Sequence, residues 1–240
     1  MTTTLSVVIP AYNEELRLGA TLARVSTFLD RSEWADRHEI LVVDDGSRDK
    51  TAAVAARFAG VRVLRNPGNR GKGYAVRHGV LEARGEWVLF TDADLSAPIE
   101  EMGKLWTAVR ETGAAIAIGS RALDRTLVGV HQSALREASG RSFNLVMRTV
   151  MGLPFRDTQC GFKLFESGAA KDVFRRQLLD GFGFDVEVLA LAQALGYRAV
   201  EVAVRWDNVP GTTVSLAGGM GAFLDLLRIR WNLARGKYGA

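Results

Sequence analysis

A short apolar segment ends in two carboxylates at Trp87-Val88-Leu89-Phe90-Thr91-Asp92-Ala93-Asp94. An apolar run of this length, bounded by polar residues, is typical of a strand that is buried on both faces of a sheet. Two carboxylates at this spacing, directly after such a strand, can share a hard divalent cation. For the pair by itself, two solvated turn aspartates before Pro98 are the alternative. The segment therefore predicts a buried strand with a candidate Mg²⁺ or Mn²⁺ site at its carboxyl end.

Three similar apolar runs precede this strand, and helical patterns separate them. Predicted strands cover residues 5–9, 39–43, 61–64, 87–90 and 114–118, and predicted helices cover 14–30, 49–59, 74–83 and 99–110. Strands that alternate with helices of this length imply parallel crossover connections. We therefore predict an α/β fold with a mostly parallel central sheet and helices on both faces.

The pattern after residue 120 is less regular. Helical patterns occupy 133–151, 185–195 and the stretch from 218 onward, and short strands are predicted at 161–165 and 199–204. No internal repeat and no Pro/Ser-rich linker divides the chain. We therefore predict one continuous domain over residues 1–215, followed by a helix at 216–240.

The composition excludes several classes of protein. Of the 240 residues, 48% are hydrophobic and 24% charged, which is typical of a globular chain and not of a disordered one. The single cysteine, Cys160, excludes an internal disulfide framework and suits a reducing cytoplasmic compartment. No signal peptide and no apolar stretch of ~18 residues is visible, so we expect no membrane span. The net charge of +4 favours an anionic partner.

Polar residues follow four consecutive predicted strands. They are Pro10-Ala11-Tyr12-Asn13-Glu14, Asp44-Asp45-Gly46-Ser47, Gly71-Lys72-Gly73 and Asp92-Ala93-Asp94. Ligands of open α/β sheets bind beyond the carboxyl ends of the strands. Glycines around a lysine at a helix start suit an anion, whereas Asp-Asp-Gly-Ser is either a turn or a contact to a base or ribose. These strand ends predict one ligand site at one edge of the sheet.

Arginines are concentrated in the middle of the chain. They are Arg121, Arg125, Arg136, Arg141 and Arg148. A guanidinium group can bind a phosphate through two parallel hydrogen bonds, although a solvated helix face explains some of these residues equally well. Arg121 differs from the others because it follows a predicted strand directly, at the same edge as the other polar residues.

The last predicted helix is amphipathic and basic. One side holds Phe223, Leu227, Trp231 and Ala234, and the other holds Asp225, Arg228, Asn232 and Arg235. The excess of cations around Trp231 fits a helix that lies on anionic lipid. A helix packed on the sheet or on a second subunit is the alternative.

Five motifs in the same order as in glycosyltransferase family 2 make the chain resemble that family over nearly its whole length. They are Val8-Ile9-Pro10-Ala11-Tyr12-Asn13-Glu14, Val42-Val43-Asp44-Asp45-Gly46-Ser47, Asn69-Arg70-Gly71-Lys72-Gly73, Asp92-Ala93-Asp94-Leu95-Ser96, and Gly119-Ser120-Arg121 with Asp157-Thr158-Gln159-Cys160-Gly161-Phe162-Lys163. The last motif is similar to that of the polyprenyl- and dolichyl-phosphate hexosyltransferases, especially their glucosyl branch. The resemblance implies a GT-A fold, with a nucleotide-sugar-binding half at 1–120 and an acceptor-binding half at 121–215.

The resemblance also implies roles for residues of the donor site. The nucleotide sugar would contact Pro10, Ala11, Tyr12, Glu14, Asp44, Asp45, Lys72, Asp92, Ala93 and Asp94. Asp94, with Asp92 and Ser96, would hold Mg²⁺ or Mn²⁺. The mannosyl relatives carry a glutamine ligand at the position of Ser96, so a water would complete the shell here.

On the acceptor side, the resemblance implies that Arg121 and Arg136 bind the acceptor phosphate. It also implies that Asp92 orients a basic partner, for which Arg121 is the candidate. Asp92, Asp94, Arg121 and Arg136 would form the catalytic set. Residues 206–213 resemble a mobile loop of the family, but Thr213 stands near the position of a lysine in the relatives.

The implied activity is inverting transfer of a hexose or N-acetylhexosamine, with glucose favoured, from a UDP-sugar to a polyprenyl monophosphate for cell-envelope glycan assembly. The implied location is cytoplasmic and peripheral, on the inner face of the cell membrane. A membrane surface, a small membrane-protein partner or a homo-oligomer would accompany it, and no nucleic acid is expected.

Four alternatives remain at this point. Two are a GDP-mannose-dependent polyprenyl-phosphate mannosyltransferase and a family 2 transferase with a non-lipid acceptor. A third is a haloacid-dehalogenase-type phosphatase, although its Asp-x-Asp motif usually follows the first strand. The fourth is a nucleotide-binding module without enzymatic activity. The absence of a Gln-x-x-Arg-Trp motif argues against a processive polysaccharide synthase.

Overall fold

The apolar runs of the chain become the strands of a central sheet. The computed structural model describes residues 4–130, 149–209 and 216–239, with side chains from 224 onward in the last range. The strands are β1 (Leu5–Ala11), β2 (His38–Asp44), β3 (Val61–Arg65), β4 (Trp87–Thr91), β5 (Ile116–Ser120), β6 (Val128–Val130), β7 (Phe162–Glu166), β8 (Ala199–Ala203) and β9 (Trp206–Asp207). The helices are α1 (Leu18–Asp30), α2 (Thr51–Ala55), α3 (Lys72–Glu82), α4 (Met102–Thr112), α5 (Ser167–Arg176), α6 (Phe184–Ala194) and α7 (Leu216–Ala234).

Among the described residues, seven strands form one sheet in the order β3-β2-β1-β4-β7-β5-β8. β7 is antiparallel to both of its neighbours, and all other neighbouring strands are parallel. β6 and β9 pair separately. The predicted α/β fold with a mostly parallel sheet is confirmed.

The sheet is buried on both faces because its strands alternate two sets of apolar side chains. Val8 and Phe90 pack on one face under α3, α5 and α6. Val7, Ile9 and Leu89 pack on the other face under α1 and α4. Burial on both faces explains why these strands are apolar without interruption. The loops at the strand ends therefore rest on a rigid support.

The antiparallel insertion of β7 between β4 and β5 is not predicted by the alternating pattern of the first 120 residues. Phe162 at the start of β7 pairs with Thr91 at the end of β4. Because the two strands run in opposite directions, the segment that leads into β7 must cross the carboxyl end of β4. The insertion thereby brings residues 157–161 to the Asp92 edge.

Some boundaries differ from the predictions. β5 begins at Ile116 and not at residue 114, because Gly113 takes a left-handed conformation (φ 66°) that ends α4 before the chain enters the sheet. α2 is shorter than the predicted 49–59, and α5 was not predicted. Of the predicted helix at 133–151, residues 133–148 lie outside the described residues.

The C-terminal helix packs on the domain through a face that the sequence did not predict. Asn232, expected on the polar side, is only 3% exposed, and Leu226 and Ile229 are buried with it. Tyr238 follows the helix and donates a hydrogen bond from Oη to Glu187 Oε1 of α6 at 2.7 Å. Among the described residues, no helix has the length and apolar character that crossing a bilayer requires.

Candidate active site

The loops that follow β1 and β2 are held in place by hydrogen bonds at the carboxyl ends of these strands. Asp45 N donates to Ala11 O at 2.9 Å, and Ser47 N donates to Asp44 Oδ1 at 2.9 Å. The Asp45 carboxylate accepts Asn66 Nδ2 at 2.7 Å and Gly71 N at 2.8 Å. The structure thus gives Asp45 a bracing role in the loop before α3. Its contact with a donor stays a prediction.

Lys72 stands at the first position of α3 and reaches across to the end of β4. Its Nζ lies 2.6 Å from Asp92 Oδ1. Burial by itself would lower the pKa of Lys72, but the carboxylates of Asp92 and Asp185 outweigh this and raise the pKa above its ordinary value. The ammonium group is therefore charged at every physiological pH and stands beside the predicted metal carboxylates.

Asp94 lies in the tight turn that follows β4. Leu95 takes a left-handed conformation (φ 47°) there, which is unusual for a residue other than glycine and is typical of functional turns. Ser96 N donates to Asp94 Oδ1 at 2.9 Å, and Thr21 Oγ1 donates to Ala93 O at 2.6 Å. These bonds hold the Asp94 carboxylate in place at the sheet edge.

Three carboxylates at this edge of the sheet, those of Glu14, Asp92 and Asp94, repel one another. Burial raises the pKa of Asp94, and the neighbouring Asp92 raises it further. Burial likewise raises the pKa of Glu14 against the opposing charge of Arg17, and Asp94 and Asp92 add to the increase. A cation bound near Asp94 would relieve this repulsion.

The donor set of the edge fits a hard divalent cation that also binds phosphate. Among the described residues, no three His, Cys, Asp or Glu side chains are arranged to hold a metal ion by themselves. Mg²⁺ commonly takes only one or two carboxylates and completes its shell with phosphate oxygens and water. Asp94 is the better ligand of the pair, because one oxygen of Asp92 is already bound by Lys72.

Arg121, directly after β5, is held by Asp157. Asp92 does have a basic partner, as expected, but that partner is Lys72 and not Arg121. Arg121 Nε and Nη2 donate to the two oxygens of Asp157 at 2.6 and 2.9 Å, and the guanidinium carbon lies 5.4 Å from the centre of the Trp206 ring. Burial would raise the pKa of Asp157, but Arg121 outweighs it and holds the pKa below its ordinary value. The arginine is thereby fixed in one orientation.

The segment before β7 packs directly against Asp92. A side chain at Gly161 would collide with the Asp92 carboxylate, so a larger residue there would displace Asp92. Two residues further on, the fully buried Lys163 donates from Nζ to Asp185 Oδ1 at 2.5 Å and to Cys160 O at 2.6 Å. Lys163 and Asp185 are functional candidates to which the sequence analysis gave no role. The signal that could have found them was a charged residue, Lys163, within an otherwise apolar strand.

The reactivity of Cys160 tests how well the segment before β7 is shielded from solvent. The thiol is 2% exposed, and burial, followed by the charge of Asp157, raises its pKa to about 12. At pH 8 only about one thiol in 10⁴ would then be ionised, against roughly a quarter of ordinary thiols. We expect a disulfide reagent to label native protein at least ~10³-fold more slowly than guanidinium-unfolded protein. Equal labelling rates in the two states would contradict this packing.

The structure brings most predicted site residues to one edge. Pro10 and Ala11 end β1, Tyr12 is 40% exposed beside them, and Ser96 is buried behind Asp94. Arg136 and Thr213 lie outside the described residues. Contacts of these side chains with donor, acceptor or metal stay predictions.

Comparison with known proteins identifies the family. The model of glycosyl transferase family 2 matches residues 6–174. The chain belongs to glycosyltransferase family 2. This family 2 protein is 36% identical to a dolichyl-phosphate beta-glucosyltransferase of Trichomonas vaginalis over 237 residues, covering 93% of this chain and 72% of that protein. It is also 36% identical to the human dolichyl-phosphate beta-glucosyltransferase, covering 87% of this chain and 68% of that protein.

Solved structures of other transferases share the fold. A glucosyl-3-phosphoglycerate synthase from Mycobacterium tuberculosis, solved with Mn²⁺ and UDP, superposes with a TM-score of 0.68 at 20% identity, over 95% of this chain and 80% of that one. A mannosyl-3-phosphoglycerate synthase from Rubrobacter xylanophilus superposes with a TM-score of 0.70 at 19% identity, over 98% of this chain and 75% of that one. The GT-A fold is therefore confirmed for this glycosyltransferase.

Proposed function

We propose that this family 2 glycosyltransferase moves glucose from UDP-glucose to a polyprenyl monophosphate with inversion at the anomeric carbon. The observation that carries the proposal is the charge arrangement at the sheet edge, where the carboxylates of Asp92 and Asp94 and the cations of Lys72 and Arg121 meet. The identity to dolichyl-phosphate beta-glucosyltransferases over most of the chain supports the sugar and the lipid acceptor.

The reaction must bring two anions together, and the two cations of the site serve that need. A phosphate monoester is already ionised at neutral pH, so its oxygen attacks the anomeric carbon without a general base. Lys72 lies where the leaving diphosphate accumulates charge. Arg121 offers its Nη1, which bonds none of the described residues, to the acceptor phosphate. Holding both anions in line lowers the entropic cost of the encounter, and a single displacement inverts the carbon.

Asp94, with Asp92 beside it, would hold the Mg²⁺ or Mn²⁺ that this proposal includes. When bound, such an ion neutralises charge on the departing nucleoside diphosphate. The residues of the chain do the remaining work: Ser96 N fixes the Asp94 carboxylate, and Lys72 pairs with Asp92. Location on the inner face of the cell membrane and a role in envelope glycan assembly belong to the same proposal.

Replacement of Arg121 tests the acceptor side. We expect Arg121→Gln to lower kcat/KM for undecaprenyl phosphate by about 10²-fold or more, because the phosphate loses its charged hydrogen bonds. The KM for UDP-glucose should change by less than about twofold, since donor contacts are kept. Transfer of radiolabelled glucose into an organic-extractable product gives both constants.

Two further variants make that result interpretable. Arg121→Gln/Asp157→Asn keeps a neutral hydrogen-bonded pair, so it separates lost phosphate binding from a buried unpaired carboxylate. Arg57→Gln removes an exposed arginine after α2 and should behave like the wild type. If the wild type makes no extractable product from any nucleotide sugar, the lipid acceptor is wrong.

A further inference from the structure

We propose that one exposed face of α7, continued by Phe182, docks the protein on an anionic lipid surface. We call this the docking face; it consists of Phe182, Leu224, Leu227, Arg228, Trp231 and Arg235. The inference deepens the proposed function and rests on it for its purpose, because a polyprenyl phosphate resides in a membrane. The physical case for the docking face is independent of the reaction.

The apolar part of the docking face is a stripe of side chains on the exposed side of α7. Leu224, Leu227 and Trp231 are 70%, 64% and 58% exposed, and their spacing places them on one side of the helix. Leu226 and Ile229 are buried on the opposite side. Because these contacts fix the rotation of α7, the stripe cannot turn inward to hide its apolar surface.

Phe182 extends the stripe from a neighbouring loop. Its side chain is 43% exposed. The next residue, Gly183, lies so close to Asp225 of α7 that a side chain at 183 would collide with that carboxylate. The loop that carries this exposed aromatic ring thus packs on α7 at Asp225, the residue after Leu224. Contiguous exposed apolar side chains of this kind mark an interaction surface.

The same loop connects the docking face to the active site. Tyr74 N in α3 donates to Asp180 O at 3.2 Å, and a Cβ at Gly73 would lie 2.6 Å from Leu179 O. The loop therefore packs directly on the start of α3, where Lys72 stands. A membrane that touches the docking face consequently lies one loop away from the predicted site of phosphate transfer.

The charge of the docking face favours anionic lipid over other occupants. Arg228, Arg230, Arg235 and Lys237 are exposed on or beside it, whereas Asp225 is the only acid in residues 224–239. The Arg235 guanidinium lies 3.9 Å from the centre of the Trp231 ring, so cation and aromatic ring present one mixed surface. In a symmetric dimer these cations would face their own copies and repel them. Apolar and aromatic side chains bordered by arginine fit the headgroup region of a bilayer.

Vesicle sedimentation without donor or acceptor tests the inference. We expect the wild type to bind phosphatidylcholine vesicles that contain phosphatidylglycerol, to bind pure phosphatidylcholine far less, and to dissociate with salt. Arg228→Gln/Arg235→Gln should weaken binding about 25-fold, roughly fivefold for each arginine. Leu227→Ser/Trp231→Ser, which keeps the charge, should abolish detectable binding. Arg57→Gln/Arg110→Gln removes two exposed arginines elsewhere and should bind like the wild type.

Failure of the wild type to bind the anionic vesicles would overturn the inference. So would docking-face variants that bind as well as the Arg57→Gln/Arg110→Gln control. A third contradicting outcome is a dimer, detected by light scattering, that Leu227→Ser/Trp231→Ser converts to a monomer. The last outcome would assign the face to a second copy. Melting temperatures near that of the wild type would exclude misfolding, because every altered side chain is exposed. Vesicle binding without any glucosyl transfer would reject the proposed function and leave the docking face standing.

Discussion

Asp94→Ala is expected to lower the rate of glucosyl transfer about 10³-fold while the protein still folds and binds UDP. Burial and the neighbouring charge of Asp92 raise the pKa of Asp94, so a bound cation would stabilise its carboxylate, and Ser96 N fixes its position. Removing a preorganised group that supports the charge of a leaving diphosphate costs roughly 10²–10³ in rate, and loss of the bound ion adds to this. Initial rates with UDP-glucose and undecaprenyl phosphate, together with calorimetric titration of UDP, give the comparison.

A chelator makes the test of Asp94 specific. EDTA should abolish transfer by the wild type and leave the residual rate of Asp94→Ala nearly unchanged, because the variant no longer uses the ion. Asp30→Ala, at the exposed end of α1, serves as the matched aspartate control and should retain full activity. An Asp94→Ala variant with wild-type turnover would show that the carboxylate has no part in the reaction.

Lys163→Met is expected to destabilise the protein by about 3–5 kcal/mol, because it leaves a buried carboxylate without its closest counter-charge. Lys163 is fully buried and Asp185 is 2% exposed, so water cannot replace the lost partner. Lys163 also donates to Cys160 O, which becomes unsatisfied in the variant. For a chain of this size a loss of 3 kcal/mol lowers Tm by roughly 6–12 °C, which calorimetry or circular dichroism measures.

The double variant distinguishes an ion-pair effect from simple loss of packing. Lys163→Met/Asp185→Leu removes both charges, and such replacements of buried pairs are often neutral. We expect it to recover most of the stability that the single variant loses. A double variant as unstable as Lys163→Met would show that the pair is not the cause, and a single variant with wild-type Tm would contradict the buried ion pair itself.

The first four strands and the ends that carry the site were predictable because their signals are local. An uninterrupted apolar run followed at once by charged residues, as at Phe90 and Asp92, places a buried strand and its loop without knowledge of the rest of the chain. The parallel connections then bring the polar ends to one edge, as Lys72 and Asp92 show by their ion pair. The shorter α2 and the later start of β5 were missed because helix ends depend on a few backbone angles, such as that of Gly113.

Partners distant in sequence could not be predicted. Asp157 holds Arg121 across 36 positions, and Lys163 meets Asp185 across 22. Both pairs exist because β7 enters the sheet between β4 and β5 in the opposite direction. A charge in a sequence does not state which other charge it will meet, since the Coulomb energy depends on distances that only the assembled sheet defines.

The sequence by itself determined the fold class, the family and the edge of the sheet at which the candidate site residues meet, because short-range hydrophobic patterns and contiguous motifs carry that information. The tertiary structure decided how the charges pair and which side of α7 faces outward. Asn232 is polar, yet it lies inward beside Tyr238, while Leu227 and Trp231 remain in solvent. The physical reason is that Tyr238, held by Glu187 of α6, offers Asn232 a buried hydrogen-bond partner on the inner side of α7. Helical periodicity carries no record of such a partner.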